Sequence, residues 1–159
     1  MKIGLIIYSQ TGHTLEVAER LRSALTDAGH EVKLEQITAE ASNPKEPLNV
    51  TLQYAPDASA YDLLYFGAPV QAFSLCPAMK AYLRQAASLR GKRVGCFTTQ
   101  QLKFAWMGGN RAIRQMSDAI AQKGGEVAAS GIVHWSHPQR ETMIQRVVNE
   151  LATVSPVNV

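Results

Sequence analysis

The chain has 159 residues, 46% of them hydrophobic and 18% charged, with a formal net charge of +3. One compact domain fits that length and two do not, while the apolar share is too high and the charge too low for a disordered chain. No apolar run approaches the ~18 to 20 residues of a membrane span, and the run behind Met1-Lys2 is too short for a secretory signal core, so a soluble, cytoplasmic protein is expected.

Ile3 to Tyr8 (IGLIIY) is apolar on both faces, as expected of a parallel strand covered by helices on each side. Thr14 to Ala28 then sets Val17, Ala18, Leu21, Ala24, Leu25 and Ala28 at helical spacing, with Glu16 and Glu19 in the opening turn and Gly29 placed to stop the helix. Glu31 to Ile37 alternates as a half-buried strand. Pro44, Pro47 and Pro56 follow, so a second helix should be short or absent. Asp62 to Gly67 (DLLYFG) reads as the third strand, breaking at Gly67-Ala68-Pro69 into a loop, Val70 to Cys76. Pro77 suits the first turn of a helix with Met79, Tyr82, Leu83 and Ala86 on one face, ending near Leu89. Arg93 to Thr99 is the fourth strand, and Gln100 to Gly109 a loop holding Phe104 and Trp106. Asn110 is placed to cap a helix with Ile113, Met116, Ala119 and Ile120 inward, stopped by Gly124-Gly125. Val127 to Trp135 is the fifth strand, and Pro138 precedes a last helix carrying Met143, Ile144, Val147, Val148 and Leu151. Residues 1–154 make one domain and 155–159 a loose tail.

Parallel strands joined through helices need right-handed crossovers, which implies an α/β fold with an open, doubly wound, five-stranded parallel sheet. Ligands of such sheets bind beyond the carboxyl ends of the strands, where the strand order reverses. Three loops therefore matter: Ser9 to Thr14, Pro69 to Leu75, and Thr98 to Gly109. The two cysteines, Cys76 and Cys96, show neither CxxC nor cysteine–histidine ligand spacing, which points to free thiols.

The first of these loops supplies hydroxyls at Ser9, Thr11 and Thr14 and a glycine, Gly12, that lets backbone approach a ligand. At a helix start, where amides are unpaired and carry partial positive charge, this composition suits a phosphate cradle. Walker A and GxGxxG spacings are both absent, which removes the usual nucleoside triphosphate and dinucleotide sites. An ordinary turn capped by Thr11 or Thr14 would explain one hydroxyl, not three beside a glycine.

Here the sequence resembles the flavodoxin family, whose first loop reads S-x-T-G-x-T, matched by Ser9-Gln10-Thr11-Gly12-His13-Thr14. His13 stands where that family usually has asparagine. The likeness extends through Tyr61 to Pro69 (YDLLYFGAP), Pro77 to Leu83 (PAMKAYL) and Leu89 to Val94 (LRGKRV), in the short form without an insertion in the fifth strand. It implies the strand order 2-1-3-4-5 and noncovalently bound FMN, with the phosphate on Ser9 to Thr14. It also implies that the flavin ring lies between the loops after strands 3 and 4, against Phe73, Phe104 or Trp106. Pro69, Val70, Gln71 and Ala72 from one loop, and Thr98, Thr99, Gln100 and Gln101 from the other, would border the ring, with Gly108 turning the chain back beside it. No residue is assigned as an acid or base, and no metal is expected, since no carboxylate or cysteine converges on His134 and His137.

Electron-carrier flavodoxins are acidic around the flavin. This chain has no Asp or Glu from Leu63 to Ser117, a window that holds Lys80, Arg84, Arg90, Lys92, Arg93, Lys103, Arg111 and Arg114. Fewer carboxylates near the ring ease its reduction, so a milder reductant is expected, with Lys103 and Arg111 at the mouth favouring an anionic redox partner or small acceptor. Nucleic acid and membrane partners are not expected, and the oligomeric state is left open. The leading expectation is an electron carrier. An FMN-dependent NAD(P)H:quinone-type oxidoreductase is the alternative, and a phosphate-ligand module without flavin a further one.

Overall fold

The computed structural model describes residues 1–40, 50–101 and 104–155. β1 (Lys2–Ile7) pairs in parallel with β2 (Glu31–Gln36) on one side and β5 (Leu63–Gln71) on the other; β5 pairs with β7 (Arg93–Gln100), and β7 with β8 (Glu126–His134). The order β2-β1-β5-β7-β8 is the expected 2-1-3-4-5 of the parallel strands. The continuous apolar runs of β1 and β5 become central strands because each must bury both faces. On one face α1 (His13–Asp27) and α4 (Arg140–Leu151) cover Ile3, Leu5, Ile7, Leu63, Tyr65 and Phe97. On the other, α2 (Pro77–Gln85) and α3 (Gly109–Gln122) cover Ile6, Leu64, Phe66, Val94 and Cys96. Among the described residues no helix is long and apolar enough to cross a membrane.

Between β2 and β5 the described residues hold no α-helix. β3 (Thr38–Ala39) and β4 (Leu52–Tyr54) form a small antiparallel pair, followed by a 3-10 turn at Ala58–Ala60. Pro44 and Pro47 lie outside the described residues. Glu35, buried on β2, anchors this crossover by accepting hydrogen bonds from Tyr54 (2.7 Å) and Tyr61 (2.6 Å), and the Tyr82 hydroxyl donates to the Pro56 carbonyl at 2.6 Å.

Four sequence expectations need correction. The third strand does not break at Gly67-Ala68-Pro69 but runs on to Gln71, because its β1 neighbour ends first. Gly67 O accepts from Tyr8 N at that end, and beyond it the side that β1 leaves is taken by the returning chain, where Pro69 O accepts from Cys76 N at 3.3 Å, so the strand continues past β1 despite the proline's missing N–H. The segment Val70–Cys76 is then a hairpin rather than a loop: β6 (Ser74–Leu75) returns antiparallel to β5 across a two-residue turn, Ala72 and Phe73, both at positive φ (51° and 61°). α3 is capped by Gly108, at φ 120°, and not by Asn110. In addition α2 stops at Gln85 instead of near Leu89, whose amide is held by Lys123 O at 2.8 Å. Of the tail, Ser155 O accepts from Arg93 at 3.2 Å, and 156–159 lie outside the described residues.

Central-strand glycines lie under aromatic rings. In the β5–β7 register Tyr65 faces Gly95 and Gly67 faces Phe97, and a Cβ built on Gly67 would sit 2.2 Å from the Phe97 ring. Between β7 and β8 the register slips by one residue after Val94↔Val127, leaving Ala128 as a bulge on the outer strand.

Cys76 and Cys96 are both buried and free, and burial pushes each thiol up to about 12. Thiolate is the reactive form, so neither cysteine should react with a thiol reagent at pH 8 in the native protein, whereas both should react at once in denaturant. Rapid native-state labelling would contradict this burial.

Candidate functional site: a cleft at the carboxyl ends of β1, β5 and β7

The chain leaves β1 at Ile7 and enters α1 through Gly12, which adopts the left-handed conformation (φ 92°) and, as the N-cap residue, brings no side chain of its own to the helix start. Among the described residues, the amides of Gln10, Thr11, Gly12, His13 and Thr14 donate to no acceptor. The hydroxyls divide their work. Ser9 Oγ accepts from Leu15 N at 3.3 Å, bracing the turn from inside, and Thr14 Oγ1 is buried against Thr99 Oγ1 at 2.8 Å, tying α1 to β7. Thr11 is exposed. Unpaired amides on a helix start suit an anion, to which the peptide dipoles present partial positive charge.

A cleft of about 130 Å³ opens from this turn, lined by Gln10, Thr11, His13, Pro69, Val70, Gln71, Thr99, Gln100 and Gln101. All nine are residues singled out from the sequence. The Gln71 amide donates to the Gln10 side-chain oxygen, linking the first turn to the hairpin. Gln100 Nε2 donates to Phe104 O at 2.7 Å, fixing the start of the next loop, and Ser136 Oγ donates to Gln101 O. Thr98 is fully buried, and its hydroxyl has no partner among the described residues. A larger hollow of about 560 Å³ is lined by α4 residues alone and has no opposing wall.

Apolar side chains stand at the mouth. Phe73 at the hairpin tip, Phe104 and Trp106 are 60%, 54% and 74% exposed, three of only five large apolar side chains left in solvent among the described residues. Phe104 and Trp106 lie parallel, 8° between planes and 6.0 Å between centroids. Gly108 brings their loop against the hairpin: a Cβ there would meet Val70 Cγ1 at 2.6 Å and Phe73 Cα at 2.8 Å. Gln115 on α3 holds the hairpin from below, accepting from Ser74 Oγ (3.0 Å) and Leu75 N (2.8 Å), and Lys80 Nζ donates to Ser74 Oγ at 2.9 Å.

Two residues near the cleft carried no sequence signal of their own. The His13 ring stacks on Trp135, with centroids 4.0 Å apart and planes 11° from parallel, and Arg140 lies 4.7 Å from the same indole while donating to Trp135 O at 2.8 Å. Burial, with Arg140 adding to it and Glu16 opposing, holds the His13 pKa below its ordinary value. Trp135 directly follows the carboxyl end of β8, so the rule that ligands gather at strand ends was the only available pointer.

The basic window splits. Arg90, Lys92 and Arg93 lie at the amino-terminal end of β7, away from the cleft, where Lys92 Nζ donates to Tyr61 O at 2.6 Å and Arg93 to Ser155 O. Lys80 stays beside the hairpin and Arg111 is in the first turn of α3. Lys103 lies outside the described residues. His134 and His137 form a turn, His137 N donating to His134 O at 3.1 Å, and among the described residues no three His, Cys, Asp or Glu gather as metal ligands.

No protein-family model matches the chain, and no curated protein matches it. Solved structures do. Oxidised Flavodoxin 2 from Bacillus cereus is 17% identical with a TM-score of 0.66, covering 96% of this chain and 98% of that one. A flavoprotein from Lactobacillus acidophilus in complex with FMN is 18% identical with a TM-score of 0.61, covering 92% and 97%. Two-electron reduced Megasphaera elsdenii flavodoxin is 15% identical with a TM-score of 0.60, covering 96% and 99%. The chain has the flavodoxin-like fold.

Proposed function

We propose that this protein binds FMN noncovalently and carries electrons through it in the cytoplasm, exchanging them with an anionic redox partner or small acceptor. The observation that carries the reading is the run of five amides, Gln10 to Thr14, unpaired among the described residues and opening into a cleft bounded by glutamine side chains and exposed aromatics. A phosphate monoester suits the amides, and a planar, polar-edged ring suits the space between hairpin and β7. When bound, FMN supplies the one- and two-electron chemistry. Ser9 to Thr14 hold its anionic end, and Pro69, Val70, Gln71, Ala72 and Phe73 form one wall for the ring. Thr98 to Gln101, with Trp106 and Gly108, form the other, and the aromatics at the mouth limit water. The resemblance to FMN-binding proteins supports the same reading.

Titrating the flavin-free protein with FMN should quench the flavin fluorescence to a one-to-one endpoint and give a yellow complex. Unchanged fluorescence at micromolar protein would overturn the proposal. The lack of Asp and Glu in both ring loops should also make the complex a milder reductant than acidic flavodoxins. Reversing Lys80 and Arg111 to glutamate should move its potential tens of millivolts more negative, and an unmoved potential would exclude a charge contribution from this rim.

A second reading, an NAD(P)H-dependent reductase, is favoured by one feature: Arg111 and Arg114 follow directly behind the exposed Phe104–Trp106 pair, a setting for an aromatic, phosphorylated donor. Oxidation of NADPH by the loaded protein without any added reductase would select it over the carrier.

A further inference from the structure

The turn from Ser9 to Thr14 contains no lysine or arginine, yet a cation stands behind it. Arg140, the first residue of α4, lies against the Trp135 indole, on which His13, the first residue of α1 and a wall of the cleft, is stacked. The nearby acids are already engaged. Arg20 binds Glu141 through both guanidinium nitrogens (2.6 and 2.9 Å) and Glu16 at 3.1 Å, whereas among the described residues no carboxylate lies within salt-bridge distance of Arg140. Arg20 thus holds both carboxylates on its own guanidinium: the four charges sum to zero, but Arg140 is the cation left without a carboxylate partner, and it is the one set against the Trp135–His13 stack.

We propose that Arg140, acting through Trp135 and His13, is a positioning residue that makes the cleft select a phosphorylated ligand over its uncharged counterpart. The inference rests on the FMN reading. The stack orients the His13 ring at the turn, and the partly buried guanidinium biases that end toward negative charge across the two stacked rings. The charged groups acting on His13 are Arg140 from α4 and Glu16 from its own helix. Burial first, and Arg140 after it, disfavour a positive charge at His13, so the array is built around one cation, not two.

The test compares FMN with riboflavin, which differs only in lacking the phosphate, on wild-type protein and on Arg140→Gln, Arg140→Lys and the Arg140→Gln, His13→Asn double variant. At pH 7.5 Arg140→Gln should weaken FMN about tenfold and riboflavin less than twofold, with Arg140→Lys restoring most of the loss. Without Arg140, His13 should protonate more readily, so the FMN deficit should shrink as the pH falls from 7.5 to 6. The double variant should lose that recovery. Equal losses for both ligands, or an FMN deficit with the same pH profile in the double variant, would assign Arg140 a structural role and overturn the proposal. If wild-type protein binds no FMN, the functional reading fails instead. The array is then judged with inorganic phosphate: shifts of the Gln10 to Thr14 amide resonances that vanish in Arg140→Gln sustain it, and shifts unaffected by the substitution, or no shifts at all, overturn it.

Discussion

Replacing Gly12 by aspartate should leave a folded protein that no longer retains FMN. Gly12 occupies the left-handed region at φ 92°, and a Cβ there would meet nothing within 4 Å, so the substitution creates no collision and carries only the conformational strain, about 1 kcal/mol. Aspartate tolerates this conformation better than most residues and is a favourable helix cap, which offsets part of that strain. Its carboxylate would engage the same amides that face the cleft and repel an arriving phosphate. A unit charge at roughly 5 Å with an effective dielectric near 20 costs about 3 kcal/mol, a loss of at least a hundredfold in affinity. Asparagine at the same position reproduces the shape without the charge and should stay within tenfold of wild type. Fluorescence titration of both variants, with circular dichroism to verify folding, checks this. An aspartate variant that binds FMN nearly as well as wild type would remove the anion role from this turn.

Gly67→Ala should be the most damaging single methyl in the sheet. The added Cβ would lie 2.2 to 2.7 Å from three atoms of the Phe97 ring, which is fully buried under α1 and α4 and has no free space to retreat into. Overpacking of this kind costs about 1 to 3 kcal/mol, and a chain of this size loses roughly 2 to 4 °C of melting temperature per kcal/mol. Thermal unfolding followed by circular dichroism should therefore show a fall of about 2 to 12 °C. Trimming the ring in the same molecule, Phe97→Leu, should make the pair less costly than the sum of the single changes, since the overlap is removed. Simple additivity would show that the ring is not what opposes the methyl.

The fold was readable because its strands and helices announce themselves locally. The β1 run is apolar on both faces, α1 has an acidic start and a glycine stop, and Pro77 marks the entry to α2. The candidate anion turn was equally local, since a strand end, three hydroxyl residues and a glycine fall within six positions. What the sequence concealed depends on neighbours far along the chain. Pro69 reads as a breaker until it is known that β1 ends before reaching it. The hairpin turn at Ala72-Phe73 carries none of the Asn, Asp or Gly that normally declare positive φ. The roles of the hydroxyls could not be assigned from spacing either: Thr14 looks like a ligand group until β7 supplies Thr99 as its partner. Trp135 meets His13 across 122 positions, a contact that no window of sequence contains.

The Ala128 bulge has a meaning beyond the local register. β8 is an outer strand of nine residues whose middle, Ala128 to Gly131, carries no charged side chain, the kind of rim on which another molecule could add a strand of its own. An extra residue coils and bends that rim, so its free carbonyls and amides no longer form the straight row a visiting strand would need. The opposite rim, β2, relies on the exposed Glu31 and Lys33 instead. The two borders of the sheet thus resist uncontrolled stacking by different means, geometric on one side and electrostatic on the other, and only the second should weaken as salt is raised.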